Sequence, residues 1–209
     1  MRNQWYGDNR DLVKWTALLG LASENGIQHI LHIAMLRPCK WNGLPADCWP
    51  NLDLNGKPWI QPPEQVRSHF RDIQDIQRLA ASASVSIQVL DETFADRRQY
   101  FAGVINRIRG DGRRLIAFLD PDTGIAPSNH DLKHVRPDEL KTVYDALKPS
   151  DFLVLYQHAR QRRRDWRKKT REEFRAALDQ PDDTIQAISC QLLAHDVILY
   201  AIEKRSRTR

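Results

Sequence analysis

The sequence predicts a single α/β domain with a three-layer, Rossmann-like fold. Its sheet should be mostly parallel and should end in an antiparallel pair of C-terminal strands. Short apolar runs of strand length alternate with segments whose apolar residues recur at helical spacing, which favours right-handed crossovers. The last two strand candidates, residues 184–190 and 197–202, are separated by about six residues, too few for a parallel crossover.

Local signals place the individual elements along the chain. Leu12, Trp15 and Leu18 recur at helical spacing, and Gly26 ends this first helix, which is predicted over 11–22. The chain length of 209 residues fits one domain, 1–209, with an irregular insertion at about 37–62 in which Asn55-Gly56 predicts a hairpin. Four more helices are predicted over 63–81, 94–109, from Pro137 to Pro149, and over 165–178, and four more strands over 27–36, 85–90, 115–119 and 152–156.

Composition excludes several classes of protein. No apolar run approaches the roughly 18 residues that a membrane-spanning helix needs, and the N-terminus lacks the apolar core of a signal peptide. We therefore expect a cytoplasmic protein without a membrane partner. The three cysteines are odd in number and poorly spaced for zinc, so we expect free thiols.

The positive charge is concentrated in two stretches. Residues 160–171 hold eight basic residues and one acid, and residues 204–209 hold four basic residues, whereas the rest of the chain is acidic on balance. Such a distribution favours a polyanionic partner, DNA or RNA, over a merely solvated helix face. The candidate nucleic-acid-binding residues are Arg160, Arg162, Arg163, Arg164, Arg167, Lys168 and Lys133.

Candidate catalytic residues follow two of the predicted strands. Asp120 and Asp122 come directly after the buried strand 115–119, and Gln157 and His158 follow the strand 152–156. In open parallel sheets ligands bind at the carboxyl ends of the strands, so these side chains should meet there. They could bind Mg²⁺ or Mn²⁺ through Asp120 and Asp122, use His158 as a general base, or hold an amine for methyl transfer without a metal. A purely structural Asx-type turn is the remaining interpretation of the two aspartates.

A second candidate site lies at the start of the first helix. In one interpretation its free N–H groups face an anionic ligand, as those of a helix N-terminus can. A local ion pair between Asp11 and Lys14, three residues apart, is the alternative. His29 and His32, three apart on a strand, should point to opposite faces and cannot chelate one ion. The candidate cofactor-binding residues are Gly7, Asp8, Asn9, Asp11 and Lys14.

Two motifs resemble known families. The run 118–124, Phe-Leu-Asp-Pro-Asp-Thr-Gly, resembles the Asp-Pro region of class I adenine methyltransferases and of the three-Cys-motif partner proteins. Gly7-x3-Asp11-x2-Lys14 resembles an N-terminal element of the bacterial large-subunit rRNA adenine-N6 methyltransferases, which lies by the S-adenosylmethionine and target-base site. The pattern that also includes Tyr156-Gln157-His158 resembles an uncharacterised group of bacterial and phage proteins, which implies a phage or mobile-element context but no activity.

The sequence also departs from the methyltransferase pattern at two places. No Gly-x-Gly follows the first strand, where Arg37-Pro38-Cys39 stands instead, and Asp122 occupies a position at which that family favours a second proline. A second aspartate is useful beside a metal and unnecessary beside a transferring methyl group. The metal-dependent alternative therefore stays open at this point.

The resemblance implies an enzyme that acts on nucleic acid or a nucleotide, with S-adenosylmethionine-dependent methyl transfer to a base as the leading reaction. Asp120 would accept a hydrogen bond from the target amine, and Asp11 and Lys14 would line the cofactor side. One alternative is a metal-dependent nuclease or phosphoesterase that uses Asp120, Asp122 and His158. Another is a non-catalytic nucleic-acid-binding module with a degenerate methyltransferase fold.

Overall fold

The computed structural model describes residues 9–37, 52–54, 57–60, 73–80, 84–127, 131–160 and 164–206. No helix within these ranges is long and apolar enough to cross a bilayer. The α-helices are α1 (Asn9–Glu24), α2 (Arg97–Gly110), α3 (Pro137–Ala146) and α4 (Trp166–Leu178). The strands are β1 (His29–Ile33), β2 (Leu52–Leu54), β3 (Lys57–Ile60), β4 (Ser86–Leu90), β5 (Ile116–Leu119), β6 (Gly124–Ile125), β7 (His134–Val135), β8 (Phe152–His158), β9 (Gln186–Ile188) and β10 (Val197–Glu203).

Six strands form the central sheet, in the order β4-β1-β5-β8-β10-β9. The first four run parallel to one another, whereas β10 is antiparallel to both of its neighbours, β8 and β9. This arrangement confirms the predicted fold class, a Rossmann-like, methyltransferase-type sheet that is mostly parallel and ends in an antiparallel strand pair. Two minor sheets add β2 against β3 and β6 beside β7.

Helices cover both faces of the central sheet and complete three layers. A hydrophobic core lies on each face of the sheet, and alternate residues of β1 pack in one or the other. Leu31 and Ile33 belong to the first core and Ile30 to the second. The apolar sides of α2, α3 and α4 pack on the first face, and α1 packs on the second together with the 3₁₀ helix Ile73–Arg78. Because β5 and β8 are buried on both faces, their sequences are continuous apolar runs, as the prediction of central strands required.

The structure corrects two predicted helices. α2 begins at Arg97 rather than at residue 94, because the Asp96 carboxylate caps it by accepting from the Gln99 N–H at 2.9 Å. Thr93, the residue directly before the predicted helix 94–109, is also a competent cap by residue type but instead forms a bridge to Leu36. Within the predicted helix 63–81, the described stretch Ile73–Arg78 is a 3₁₀ helix. β2 and β3 pair antiparallel as the hairpin prediction required, and most of the predicted insertion lies outside the described residues.

Candidate functional site

The sheet changes its winding direction between β1 and β5. The chain continues from β1 to β4 on one side and from β5 to β8 on the other, so the carboxyl ends of β1 and β5 form the topological switch point. The Asp120 N–H donates to the Ile33 carbonyl at 3.0 Å and holds the two strand ends together. Ligands of open α/β sheets bind in the crevice outside such a point. The candidate site is therefore centred on Asp120.

Asp120 forms a buried ionic cluster with α1. Lys14 Nζ lies 3.0 Å from Asp120 Oδ2 and 3.3 Å from Oδ1. The same ammonium group lies 2.6 Å from Asp11 Oδ1, one helical turn back on α1. The side chains of Lys14, Asp11 and Asp120 are all almost completely buried. Thus the local Asp11–Lys14 pair does form, and it is extended to the predicted catalytic carboxylate.

His32 is the second side-chain partner of Asp120. Its Nε2 lies 3.1 Å from Asp120 Oδ2, and since the carboxylate accepts, Nε2 carries the proton. The ring is stacked on Phe118 with centroids 5.1 Å apart and meets the edge of Trp15 at 5.3 Å. His32 Nδ1 is buried and has no hydrogen-bond partner among the described residues. These rings fix the imidazole in the orientation that aims Nε2 at the carboxylate.

The cluster keeps both central charges ionised. Burial alone would raise the pKa of Asp120, but Lys14 and His32 outweigh it and lower that pKa to about 2. Burial alone would lower the pKa of Lys14, but Asp120 and Asp11 raise it well above its ordinary value. The Lys14 ammonium also lies 4.8 Å from the centroid of the Tyr156 ring. Asp120 is thus a permanent anion at neutral pH, an acceptor of hydrogen bonds and a very weak base.

The other predicted catalytic residues contact different partners at the same edge of the sheet. Asp122 forms an ion pair with Arg37, which lies four residues beyond the end of β1. Gln157 holds the loop after β5 through two hydrogen bonds, which we call the Gln157 clamp. Its amide oxygen accepts from the Ile125 N–H at 2.9 Å, and its amide nitrogen donates to the Thr123 carbonyl at 2.8 Å. His158 Nε2 lies 3.0 Å from Asp196 Oδ2.

The Gln157 clamp explains why a glycine stands at position 124. Gly124 has a φ of +101°, and a Cβ there would lie 2.1 Å from the Gln157 amide oxygen. Gln157 therefore sets the shape of the turn that follows Asp120.

Some of the predicted basic residues are held by hydrogen bonds or ion pairs, and others are exposed. Arg160 pairs with Glu173 and donates to the Ile125 carbonyl, and Arg167 donates to the His195 carbonyl. Lys133 holds its own loop, since its carbonyl accepts from the Thr123 hydroxyl and its ammonium lies 3.5 Å from Asp131. Arg164 and Lys168 are exposed at the start of α4. Arg162 and Arg163 lie outside the described residues, as do Gly7 and Asp8 of the predicted cofactor group, whereas Asn9 is the exposed first residue of α1.

Sequence reasoning missed several members of the site. His32 was considered only as half of a metal pair with His29, which does lie on the opposite face beside Asp111. Arg37 and Asp196 carry no motif, and only their partners Asp122 and His158 identify them. Asp91 and Glu92, exposed directly after β4, could have been found from a simple rule, because acidic residues at the end of the second strand bind ribose hydroxyls in dinucleotide-binding folds.

The segment after β1 has an unusual backbone conformation at Met35, although it contains no glycine. Met35 adopts a φ of +47°, a left-handed conformation that favours glycine, and its N–H donates to the Tyr100 hydroxyl at 3.0 Å. The left-handed backbone conformation that glycine usually adopts is thus present at Met35 and is held by a hydrogen bond. With acceptor carboxylates at Asp91 and Glu92 on the neighbouring strand, the residues fit the nucleoside part of S-adenosylmethionine.

A divalent metal fits the same residues less well. The carboxylate of Asp120 is contacted by Lys14 and His32, and that of Asp122 by Arg37, so that cations already occupy the positions a metal would take. Within the described ranges no group of three His, Cys, Asp or Glu side chains could hold a metal ion. The arrangement therefore gives the metal-dependent alternative no support.

Comparisons with known proteins add resemblances of fold only. No protein-family model matches the chain, and no curated protein matches its sequence. Among solved structures, a candidate methyltransferase from Thermobifida fusca YX is 14% identical, with 95% of this chain and 80% of that chain covered and a TM-score of 0.41. A DUF574 family protein from Streptomyces avermitilis MA-4680 is 11% identical, with coverages of 94% and 82% and a TM-score of 0.39. A candidate rRNA methylase from Clostridium thermocellum is 12% identical, with coverages of 89% and 96% and a TM-score of 0.34. At these identities and scores they carry no conclusion about activity or substrate.

Proposed function

We propose that this protein is an S-adenosylmethionine-dependent methyltransferase that acts on an amino group of a nucleic-acid base. The observation that carries the proposal is the buried contact of Lys14 with Asp120 at the switch point, 3.0 Å between Nζ and Oδ2. It fixes an ionised acceptor at the place where this fold binds ligands. When bound, S-adenosylmethionine would supply a methyl group activated by its sulfonium charge.

The chain offers acceptors for the cofactor on two sides of this point. Asp91 and Glu92 would accept from the ribose hydroxyls at the end of β4. The turn at Met35 would let the backbone approach the nucleoside, and the anionic Asp120 would offset the positive charge of the sulfonium. Lys14 holds the Asp120 carboxylate in one orientation for this purpose.

Asp120 would orient the target amine rather than deprotonate it. With its pKa lowered to about 2, the carboxylate is a poor base at neutral pH but a good acceptor. Its Oδ2 contacts both Lys14 and His32, whereas Oδ1 receives only the longer 3.3 Å bond from Lys14. Oδ1 is therefore the carboxylate oxygen with the larger remaining capacity to accept a hydrogen bond.

Exposed cations support a nucleic-acid substrate. Arg164, Lys168 and Lys169 lie exposed at the N-terminal end of α4, which follows β8 and so begins at the same sheet edge as Asp120. Binding to a phosphate backbone through such side chains weakens as salt is raised, with a slope set by the number of contacts.

Titration calorimetry with S-adenosylmethionine tests the proposal. We expect saturable binding with one site per chain, and we expect the double variant Asp91→Asn/Glu92→Gln to lose it. The matched control Asp138→Asn changes an exposed carboxylate on α3 and should bind as the parent protein does. Absence of any heat with the parent protein would overturn the methyltransferase proposal, and nucleic-acid binding without it would favour the non-catalytic module.

A further inference from the structure

The turn between β9 and β10 exposes two adjacent leucines. Leu192 is 98% exposed and Leu193 is 47% exposed. Isolated surface leucines are ordinary, but two neighbours at the tip of one turn form an apolar projection with no structural use in the described fold. Of the large apolar residues that the described ranges expose, these two are the only neighbours in sequence.

The base of this turn is held rigidly. The Asp196 carboxylate accepts from Arg10 of α1 at 2.6 Å and contacts His158 at the end of β8. The His195 carbonyl accepts from Arg167 of α4. Ala194 is buried, and its N–H donates to the Cys190 carbonyl at 2.9 Å. Three separate elements thus fix the turn while its tip stays in solvent.

The contacts that hold the turn also place it at the edge of the sheet at which Asp120 lies. Val197, the first residue of β10, pairs with His158, the last residue of β8, and β8 is the strand beside β5 and Asp120. Arg10 lies one helical turn before Lys14 on α1, about 6 Å along the axis. The leucine tip therefore shares an edge with the Lys14–Asp120 cluster.

Positive charge borders the turn on the α4 side. Arg167 is bound to the turn itself, and its neighbours Arg164 and Lys168 are exposed. An apolar projection next to exposed cations matches a nucleic acid, whose phosphates attract the cations and whose stacked bases accept an apolar side chain. An anionic membrane surface offers the same two contacts, so binding to phospholipid vesicles is one outcome of the test.

We propose that Leu192, supported by Leu193, is a wedge that inserts into the base stack of the nucleic-acid substrate. The inference rests on the proposed function, because an enzyme that modifies a base within a duplex takes it out of the stack, and an apolar side chain inserted between base steps unstacks them. The cations of α4 hold the backbone, the wedge separates neighbouring bases, and the displaced base reaches the edge at which Asp120 lies. The chemistry of the wedge is the same for RNA and DNA.

Fluorescence anisotropy with labelled hairpin RNA, single-stranded RNA and duplex DNA measures the contribution of the wedge. We expect Leu192→Ser to weaken binding about tenfold and Leu192→Phe to retain it, because an aromatic ring also stacks on bases. Leu79→Ser, an exposed leucine beside β4 at the far end of the sheet, is the matched control and should bind as the parent does. Equal affinity of Leu192→Ser and the parent would overturn the wedge.

The fluorescent adenine analogue aminopurine separates insertion from simple contact. The analogue is placed at successive positions of the nucleic acid that binds most tightly. Its fluorescence should rise at one position with the parent protein and remain quenched with saturating Leu192→Ser. An equal rise in fluorescence with Leu192→Ser and with the parent protein would overturn the proposal. Lys168→Ala should reduce the salt slope of binding by about one, whereas Arg107→Ala, exposed in the last turn of α2, should not.

Further outcomes distinguish this proposal from the proposed function. Heat with S-adenosylmethionine but no binding to any nucleic-acid probe overturns the wedge and the nucleic-acid substrate while leaving the cofactor site. A wedge effect without cofactor heat supports the wedge and overturns methyl transfer. Sedimentation of the parent protein, but not of Leu192→Ser, with vesicles of anionic phospholipid and no nucleic-acid binding overturns the wedge in favour of a membrane contact.

Discussion

Lys14 Nζ lies 3.0 Å from Asp120 Oδ2, and the two residues are separated by 106 positions in the chain. The contact joins the first helix to the end of a central strand, and both side chains are excluded from solvent. A buried charge is tolerated only when its partner is present and well placed. The pair therefore ties the candidate site to the stability of the fold, and four predictions follow from it and its surroundings.

Lys14→Met should destabilise the protein by about 3–5 kcal/mol, because it leaves two buried carboxylates without their shared cation. Urea unfolding measures the effect. Lys141→Met removes an exposed i,i+4 pair with Asp145 and should cost less than about 1 kcal/mol. The double variant Lys14→Met/Asp120→Asn should lose less than the sum of its single variants, and additive losses would contradict the coupling.

The stability of the parent protein should fall as the pH drops from about 4 to about 2. The folded-state pKa of Asp120 is lowered to about 2 from the ordinary 3.8, so its stabilising contribution is complete above the ordinary value and is lost as the carboxylate protonates in the folded state. Asp120→Asn should show a flatter profile in this interval, whereas Asp138→Asn, an exposed carboxylate, should follow the parent. Denaturant midpoints at a series of pH values test this, and identical slopes for all three proteins would refute it.

Gly124→Ala should destabilise the protein by about 2–4 kcal/mol, since it combines a left-handed backbone with a Cβ that would displace Gln157. Gly103→Ala is the matched control, because this exposed position within α2 has nothing within 4 Å of an added Cβ. The control should gain about 0.5–1 kcal/mol. Thermal unfolding of the two variants should therefore shift in opposite directions.

Arg37→Met should weaken the binding of S-adenosylmethionine about tenfold, or roughly 1.4 kcal/mol. Arg37 and Asp122 join the segment after β1 to the turn after β5, and these two segments border the switch point. Arg160→Met, which breaks a comparable pair with Glu173 beyond β8, should leave the affinity unchanged. Calorimetry of both variants with S-adenosylmethionine shows whether the Arg37–Asp122 pair is needed to hold the segments that border the proposed cofactor site.

The local patterns of the sequence predicted most of the framework. Helical spacing over Leu12, Trp15 and Leu18 identified α1, and the apolar run before Asp120 identified β5. The short link before β10 predicted the antiparallel ending. The start of α2 was misplaced because Thr93 and Asp96 are both competent caps, and the cross-strand bridge of Thr93 to Leu36 decides between them.

By itself, the sequence determined the fold class, with its mostly parallel sheet and antiparallel ending, and the edge at which its polar residues would meet, because both follow from local periodicity and from the lengths of the connections. Only the tertiary structure decided which charged side chains form pairs with one another. The four predicted catalytic residues share an edge, yet Asp120 pairs with Lys14, Asp122 with Arg37 and His158 with Asp196, while Gln157 holds the turn at Gly124. Electrostatic partners are fixed by packing distances and by loss of solvent, and neither of these is encoded in the spacing of residues along the chain.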